Sequence, residues 1–299
     1  MRDRFLNASP NLQGIMLNLC AILIFSLMDA LAKHLITGAY PPLQVVWTRY
    51  IGQTLLMAVL IAPRAHIYLA TRHPFLQAAR SVAQFGASAF FFFSLAHIGL
   101  AEATAVADLS PLLITLGAAL FLGERIGPRR LIAVAIAIAG ALLIIRPGSA
   151  IFTPVALLPL ACAASFASFA LLTRALGPGE GMMTSLFYSA IFGTVLTSAM
   201  LPSVWVPVAS GDLWAFGLIG LMGTAAQIFL IGAYRTAQAA VIAPFGYAGI
   251  LFATCWGLVF FGEWPDGLTI LGMLVIVGAG LYVWHREARL SALATGKAS

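Results

Sequence analysis

Long apolar runs, interrupted by short clusters of glycine, proline and charge, succeed one another along the whole chain. Ten of these runs approach or exceed the ~20 residues that a helix needs to cross a bilayer. The pattern predicts helices over Gln13–Ile36, Pro42–Ala62, Leu76–Ile98, Ala101–Leu122, Arg129–Arg146, Thr153–Arg174, Gly181–Met200, Leu213–Tyr234, Ala237–Phe261 and Gly267–His285. Between them stand breakers such as Gly38-Ala-Tyr-Pro-Pro42, Gly123-Glu-Arg-Ile-Gly-Pro128, Arg146-Pro-Gly148, Gly177-Pro-Gly179 and Gly262-Glu-Trp-Pro265. Ten crossings with short loops use up nearly the whole chain.

The last five runs echo the first five. Gly123-Glu124 closes the fourth and Gly262-Glu263 the ninth, 139 residues apart. At the same spacing Ile138-Ala-Gly-Ala-Leu142 matches Val277-Gly-Ala-Gly-Leu281. In the third and eighth runs Gly86, Phe92 and Ala96 correspond to Gly223, Phe229 and Ala233 at a spacing of 137. Phe25-Ser26 and Ser165-Phe166 match loosely. A unit of five crossings begins on one side of a membrane and ends on the other, so its second copy is mounted upside down. Secondary transporters use this arrangement to build a central site reachable from either face. The expected fold is an all-α polytopic membrane protein of ten transmembrane helices in two inverted five-helix repeats, residues 1–147 and 148–299.

Composition agrees. Of 299 residues, 61% are hydrophobic and 9% charged, against about 25% charged in soluble chains. The mean hydropathy is +0.98. A net charge of +6 does not make a nucleic-acid binder, because the basic residues form no patch and stand singly at helix ends. Thirteen of them (Arg2, Arg4, Arg64, Arg72, Arg80, Arg125, Arg129, Arg130, Arg174, Arg235, Arg286, Arg289 and Lys297) fall on one side, against Lys33 and Arg146 on the other. That bias predicts both ends in the cytoplasm and an inner-membrane location. Cys20, Cys162 and Cys255 lie inside apolar runs and read as small core residues. The first run is read as a retained helix, not a cleaved signal, and Asn7-Ala8-Ser9 as a chance sequon.

Ser110-Pro111 followed by Gly123-Glu124, Tyr247…Trp256…Gly262-Glu263, Phe25-Ser26-Leu-Met-Asp29-Ala30 and Trp47-Thr-Arg49 resemble the drug/metabolite transporter superfamily, in particular its ten-helix EamA-type branch. The resemblance spans essentially the whole chain. It implies the same inverted repeat, a central cavity lined mainly by helices 1, 3, 4, 6, 8 and 9, and no cofactor. Exporters of amino acids, including aromatic ones, are among the members it is most similar to.

Charges at mid-bilayer cost at least ~2.5–3.5 kcal/mol and face protein or water. Asp29, Arg49 and Asp108 each lie seven residues from one end of their helix, about 10 Å deep, a placement that allows an ion-paired cluster. One reading is a structural clamp of Arg49 between two carboxylates. The other gives Asp29 or Asp108 to a substrate ammonium group or to a proton, the coupling ion considered. Pro111 and Pro244 interrupt matching helices and free backbone carbonyls, either as simple kinks or as marks of the substrate path. Gln84, Ser88 and Phe91 share a face of the third helix. With Ser165, Phe166, Gln227, Tyr247 and Trp256 they are the candidate pocket for an amphiphile with a flat apolar part, and Gln84 and Gln227 are the preferred polar wall. His97 is read as a solvated partner of Glu102. Lys33-His34 is expected to snorkel, and Glu124 and Glu263 to pair with the following loop or to cap the next helix. No metal ligands are paired.

Two other classes compete. Gly86-Ala-Ser88-Ala89 faintly echoes an intramembrane serine protease, but His97 lies about 13 Å farther along the same helix, out of reach as a base. A channel would need rings of carbonyls or charges. The reading is therefore an alternating-access carrier, expected as a monomer, that exports or exchanges amino acids. Nucleoside-like, drug-like or S-adenosylmethionine-like substrates are the alternatives.

Overall fold

The computed structural model describes residues 9–64, 68, 70–122, 127–147, 153–177, 180–237 and 239–295. Gly123, Glu124 and Arg125 lie outside these, as does Arg2. Ten rods follow in order. They are α1 (Pro10–Thr37), α2 (Pro42–Ile61), α3 (Pro74–Leu95), α4a (Leu100–Ala107), α4b (Ser110–Leu122), α5 (Pro128–Ile145), α6 (Leu158–Leu176), α7 (Met182–Met200), α8 (Leu213–Thr236), α9a (Ala239–Ile242), α9b (Ala248–Phe261) and α10 (Gly267–Thr295). A 3₁₀ segment, Ala243–Tyr247, joins α9a to α9b, and the described residues contain no strand.

Local chemistry sets many of the ends. Prolines stand in the first turn of α1, α2, α3, α5 and α6, where a missing N–H costs nothing. The Ser9 hydroxyl accepts from Leu12 N–H at 3.4 Å and starts α1 earlier than the apolar run alone indicates. Gly262 ends α9b at φ +65°, a conformation that suits glycine.

Among the described residues, seven helices are long and apolar enough to cross a membrane by themselves. Two of the other rods, α2 and α3, carry more polar groups and hide them against neighbours. Gln44, Gln53, Gln77, Arg80 and Gln84 are all buried. Large apolar side chains cover the outside instead, with Phe121 80% and Leu251 72% exposed. Water would not tolerate so much exposed apolar surface, whereas lipid does. The chain is a multi-pass membrane protein.

Helix packing reveals the repeat. α1 packs on α8 as α6 packs on α3, α2 on α8 as α7 on α3, and α1 on α9b as α6 on α4b. α2–α7 and α5–α10 are self-paired. Exchanging the two halves therefore maps the largest interfaces onto one another. Glycines allow the closest approaches: a Cβ on Gly52 would lie 2.5 Å from Gly220 Cα, and one on Gly272 would lie 2.6 Å from the Gly140 carbonyl. Ala133, Ala137 and Ala141 are buried in the same core cluster as Ile276 and Ala279 of α10. These small-residue series serve contacts within the chain.

Some interfaces lack a comparable counterpart among the described residues: α2 packs on α3 without an equal α7–α8 contact, and a second case involves the broken helices. α4a packs on α9b, yet α4b and α9a do not pack comparably among the described residues. The bundle is closed between helices 4 and 9 at the face where α1 ends, here the distal face. Among the described residues, helices 4 and 9 make no comparable contact at the opposite, terminal face.

Candidate functional site

The polar centre lies where the helices are broken. Helix 4 is interrupted at Asp108-Leu109 rather than at Pro111, which is the second residue of α4b and starts that segment. Helix 9 is interrupted at Ala243–Tyr247, with Pro244 in the first turn of the 3₁₀ segment. Asp108 and Tyr247 are 139 residues apart, the spacing of the two Gly-Glu pairs. The repeat thus places a carboxylate at one break and a phenol at the other. Asp108 lies against the start of α9b, where an ideal Cβ on Gly249 would be 4.0 Å from its Oδ2, while the Tyr247 phenol packs against Gly280 of α10.

Arg49 reaches the same region from α2. Its Nη1 donates to Ser88 Oγ at 2.9 Å, and its guanidinium carbon lies 5.8 Å from the Phe92 ring and 6.0 Å from the Tyr50 ring. The Tyr50 hydroxyl donates to Ser88 Oγ at 3.2 Å. Gly223 of α8 provides room, since a Cβ there would meet Met28 Sδ at 3.2 Å and Arg49 Nε at 3.7 Å. The expected ion-paired clamp does not form. Arg49 has neither carboxylate within 4.0 Å; Ser88 takes its hydrogen bond, although Asp29 lies within its electrostatic reach. Arg49 Nε, Asp108 Oδ2 and Gln84 Oε1 are buried without a partner. Asp29, Arg49 and Asp108 nevertheless retain accessible surface. Cys162 of α6 feels all three charges, which places it at the same centre.

The other predicted residues divide. Gln84 and Ser88 belong to the centre. The Trp256 indole donates to Ser26 Oγ at 3.1 Å and stacks on Phe260 at 5.5 Å, tying helix 9 to α1. Phe91 packs on the core beside it. Gln227 accepts from Gln53 Nε2 at 3.4 Å, one turn from Arg49, at the α2–α8 contact. Ser165 sits against Gly86, where its hydroxyl would be 3.0 Å from an added Cβ. It serves the α3–α6 crossing. Phe166 is 42% exposed and packs on Phe169.

At the distal face several expectations are corrected. Lys33 does not snorkel. It is buried, pairs with Glu263 and donates to the Ile98 carbonyl at 2.9 Å. Glu263 caps a helix of the other half, accepting the Leu100 N–H at 3.0 Å at the start of α4a, where the helix dipole favours a negative charge. Glu102 accepts from Gly99 N–H at 2.9 Å, and exposed His97 faces the Phe93 carbonyl instead of Glu102. Cys162 is buried as expected, but Cys20 and Cys255 are exposed.

Sequence reasoning passed over Tyr50, Cys162 and the Lys33–Glu263 pair. Only the 139-residue spacing carried a usable hint, because it aligns Asp108 with Tyr247.

Two inverted bundles with unspent polar groups at their broken helices define a membrane carrier. The chain matches the EamA-like transporter family twice, over residues 12–146 and 153–284, and belongs to that family, within the drug/metabolite transporter superfamily. It is 32% identical over 274 residues to the pseudopaline exporter CntI of Pseudomonas aeruginosa, covering 89% of this chain and 94% of that one. It is 31% identical to a riboflavin transporter of Rhizobium johnstonii, covering 92% of each chain. An S-adenosylmethionine uptake transporter of Rickettsia prowazekii is 24% identical, covering 93% and 94%. A solved crystal structure superimposes with a TM-score of 0.61 at 25% identity, over 93% of this chain and 98% of the other. The protein is a transporter of small metabolites.

Proposed function

We propose that this carrier moves amino acids and related zwitterionic metabolites, by export or exchange, with its two halves rocking about the broken helices. The observation that carries the reading is the separation of charge at the centre. An arginine and two carboxylates share one depth without pairing within 4.0 Å. Arg49 suits a substrate carboxylate, and Asp29 suits an ammonium group. Trp256, partly exposed and hydrogen-bonded to Ser26 one turn from Asp29, brings aromatic surface nearby, which fits a flat apolar part. S-adenosylmethionine, which a relative takes up, combines a zwitterionic head with such a part. The relatives include both an exporter and an uptake transporter. The 13-to-2 distribution of basic residues supports a terminal face in the cytoplasm of a bacterial inner membrane, and hence a carrier resting open to the inside.

The test is counterflow of labelled neutral and aromatic amino acids into preloaded proteoliposomes. Saturable exchange is expected. Arg49→Gln should raise the KM about 10- to 100-fold, the worth of a lost charge-assisted hydrogen bond. If no amino acid exchanges while another metabolite does, the substrate reading is wrong.

A further inference from the structure

We propose that Asp108 is the proton-binding site of this carrier, which deepens the reading above by naming its coupling ion. Asp108 occupies the gap between α4a and α4b, next to Tyr247 at the pseudo-symmetric gap of helix 9. Its Oδ2 has no hydrogen-bond partner and no contact with solvent. A bare carboxylate oxygen shut away in this manner is costly, whereas a neutral acid is far less so. The nearby cation serves elsewhere: Arg49 donates to Ser88 and lies within electrostatic reach of Asp29.

Neighbouring helices supply no substitute. The titratable and charged groups that share this centre are Asp29 from α1, Arg49 and Tyr50 from α2, Cys162 from α6 and Tyr247 from helix 9. Lys33 at the end of α1 is engaged by Glu263. On α3, Arg80 is held by Thr173, Ser185 and Ser189, and His97 is at the rim. Arg146, after α5, pairs with Asp266. On α6 and α10, Arg174 and His285 lie near the terminal face.

The break also explains how a proton moves. Among the described residues, the main packing of helix 4 on helix 9 lies on the distal side of Asp108, between α4a and α9b. Water from the terminal face delivers a proton to the carboxylate oxygen, giving the neutral acid. Rocking that opens the distal side exposes the same O–H to water there, and the proton leaves. Asp29, within electrostatic reach of Arg49, is the carboxyl left for substrate.

Dicyclohexylcarbodiimide reacts with protonated carboxyls in apolar surroundings, so the purified full chain is treated with it over a range of pH and mapped by peptide mass spectrometry. An adduct on Asp108 is expected, declining about tenfold per pH unit above its midpoint. It should be absent in Asp108→Asn, restored in Asp108→Glu and unchanged in Asp29→Asn. An adduct confined to Asp29, none on either carboxyl, or one insensitive to pH would overturn the assignment. So would suppression by sodium at constant pH, which would make sodium the ion. The labelling needs no substrate. A negative amino-acid counterflow beside a positive Asp108 adduct therefore removes the substrate reading alone.

Discussion

At the scale of single residues, the loops carry charges whose partners are explicit. Glu180, between α6 and α7, is an example. Burial alone would raise its carboxyl, but the Arg72 N–H at 2.7 Å, Thr71 Oγ1 at 3.0 Å and Gln77 Nε2 at 3.2 Å outweigh this and hold it below its ordinary range. A depressed folded-state value stabilises the protein above the unfolded carboxylate range and loses that contribution as pH falls through the folded value. Glu180→Gln should therefore lower the melting temperature at neutral pH, and the gap to wild type should close as the solution is acidified below about pH 4. A gap that persisted in acid would show that shape, not charge, matters there. Asp266 is depressed in the same direction by Arg146 and Thr269, so its contribution too fades in acid.

Helices meet where side chains are missing. The α2–α8 crossing brings Gly52 and Gly220 into backbone contact, and neither backbone can retreat when a Cβ would sit 2.5 Å from the opposing Cα. Gly52→Val is expected to cost about 1–3 kcal/mol of stability, as overpacking does, read as a lower melting temperature in detergent. Gly217, on the same helix, has nothing within 4 Å of an added Cβ. Gly217→Ala should be tolerated, and equal losses at the two positions would refute the packing argument. The break in helix 4 belongs to this scale as well. Pro111 determines where α4b begins, but the interruption itself falls at Asp108-Leu109, which the proline alone did not specify.

For the whole molecule, the α4a–α9b interface, without a comparable α4b–α9a contact among the described residues, is the informative asymmetry. The distal face is fastened by Lys33, Glu263 and the Leu100 N–H, which join the two halves. Removing Glu263 leaves the buried Lys33 ammonium without its counter-charge, which destabilises the one conformation that contains the pair. Glu263→Gln should therefore shift the population toward a distal-open form. Spin labels at His97 and Trp264, in a chain whose native cysteines are replaced, should report a longer distance in the variant. An unchanged distribution would mean that the pair serves stability without gating.

The ten spans, their division into two fives and the family were legible in the sequence, because burial in lipid writes a long continuous apolar signal and the Gly-Glu pairs recur at one spacing. Asp29, Arg49 and Asp108 were legible as intramembrane charges for the same reason, since each contradicts its surroundings. Their partners were not. Whether Arg49 meets a carboxylate or Ser88 depends on side-chain reach and rotation across three helices, to which linear spacing is blind. Lys33 read as a snorkelling end residue because its partner stands 230 positions away. Which face is closed was undecidable from the chain, because the two halves have matching patterns and it is tertiary contacts, the packing of helix 4 on helix 9 and the Lys33–Glu263 pair, that distinguish one side from the other.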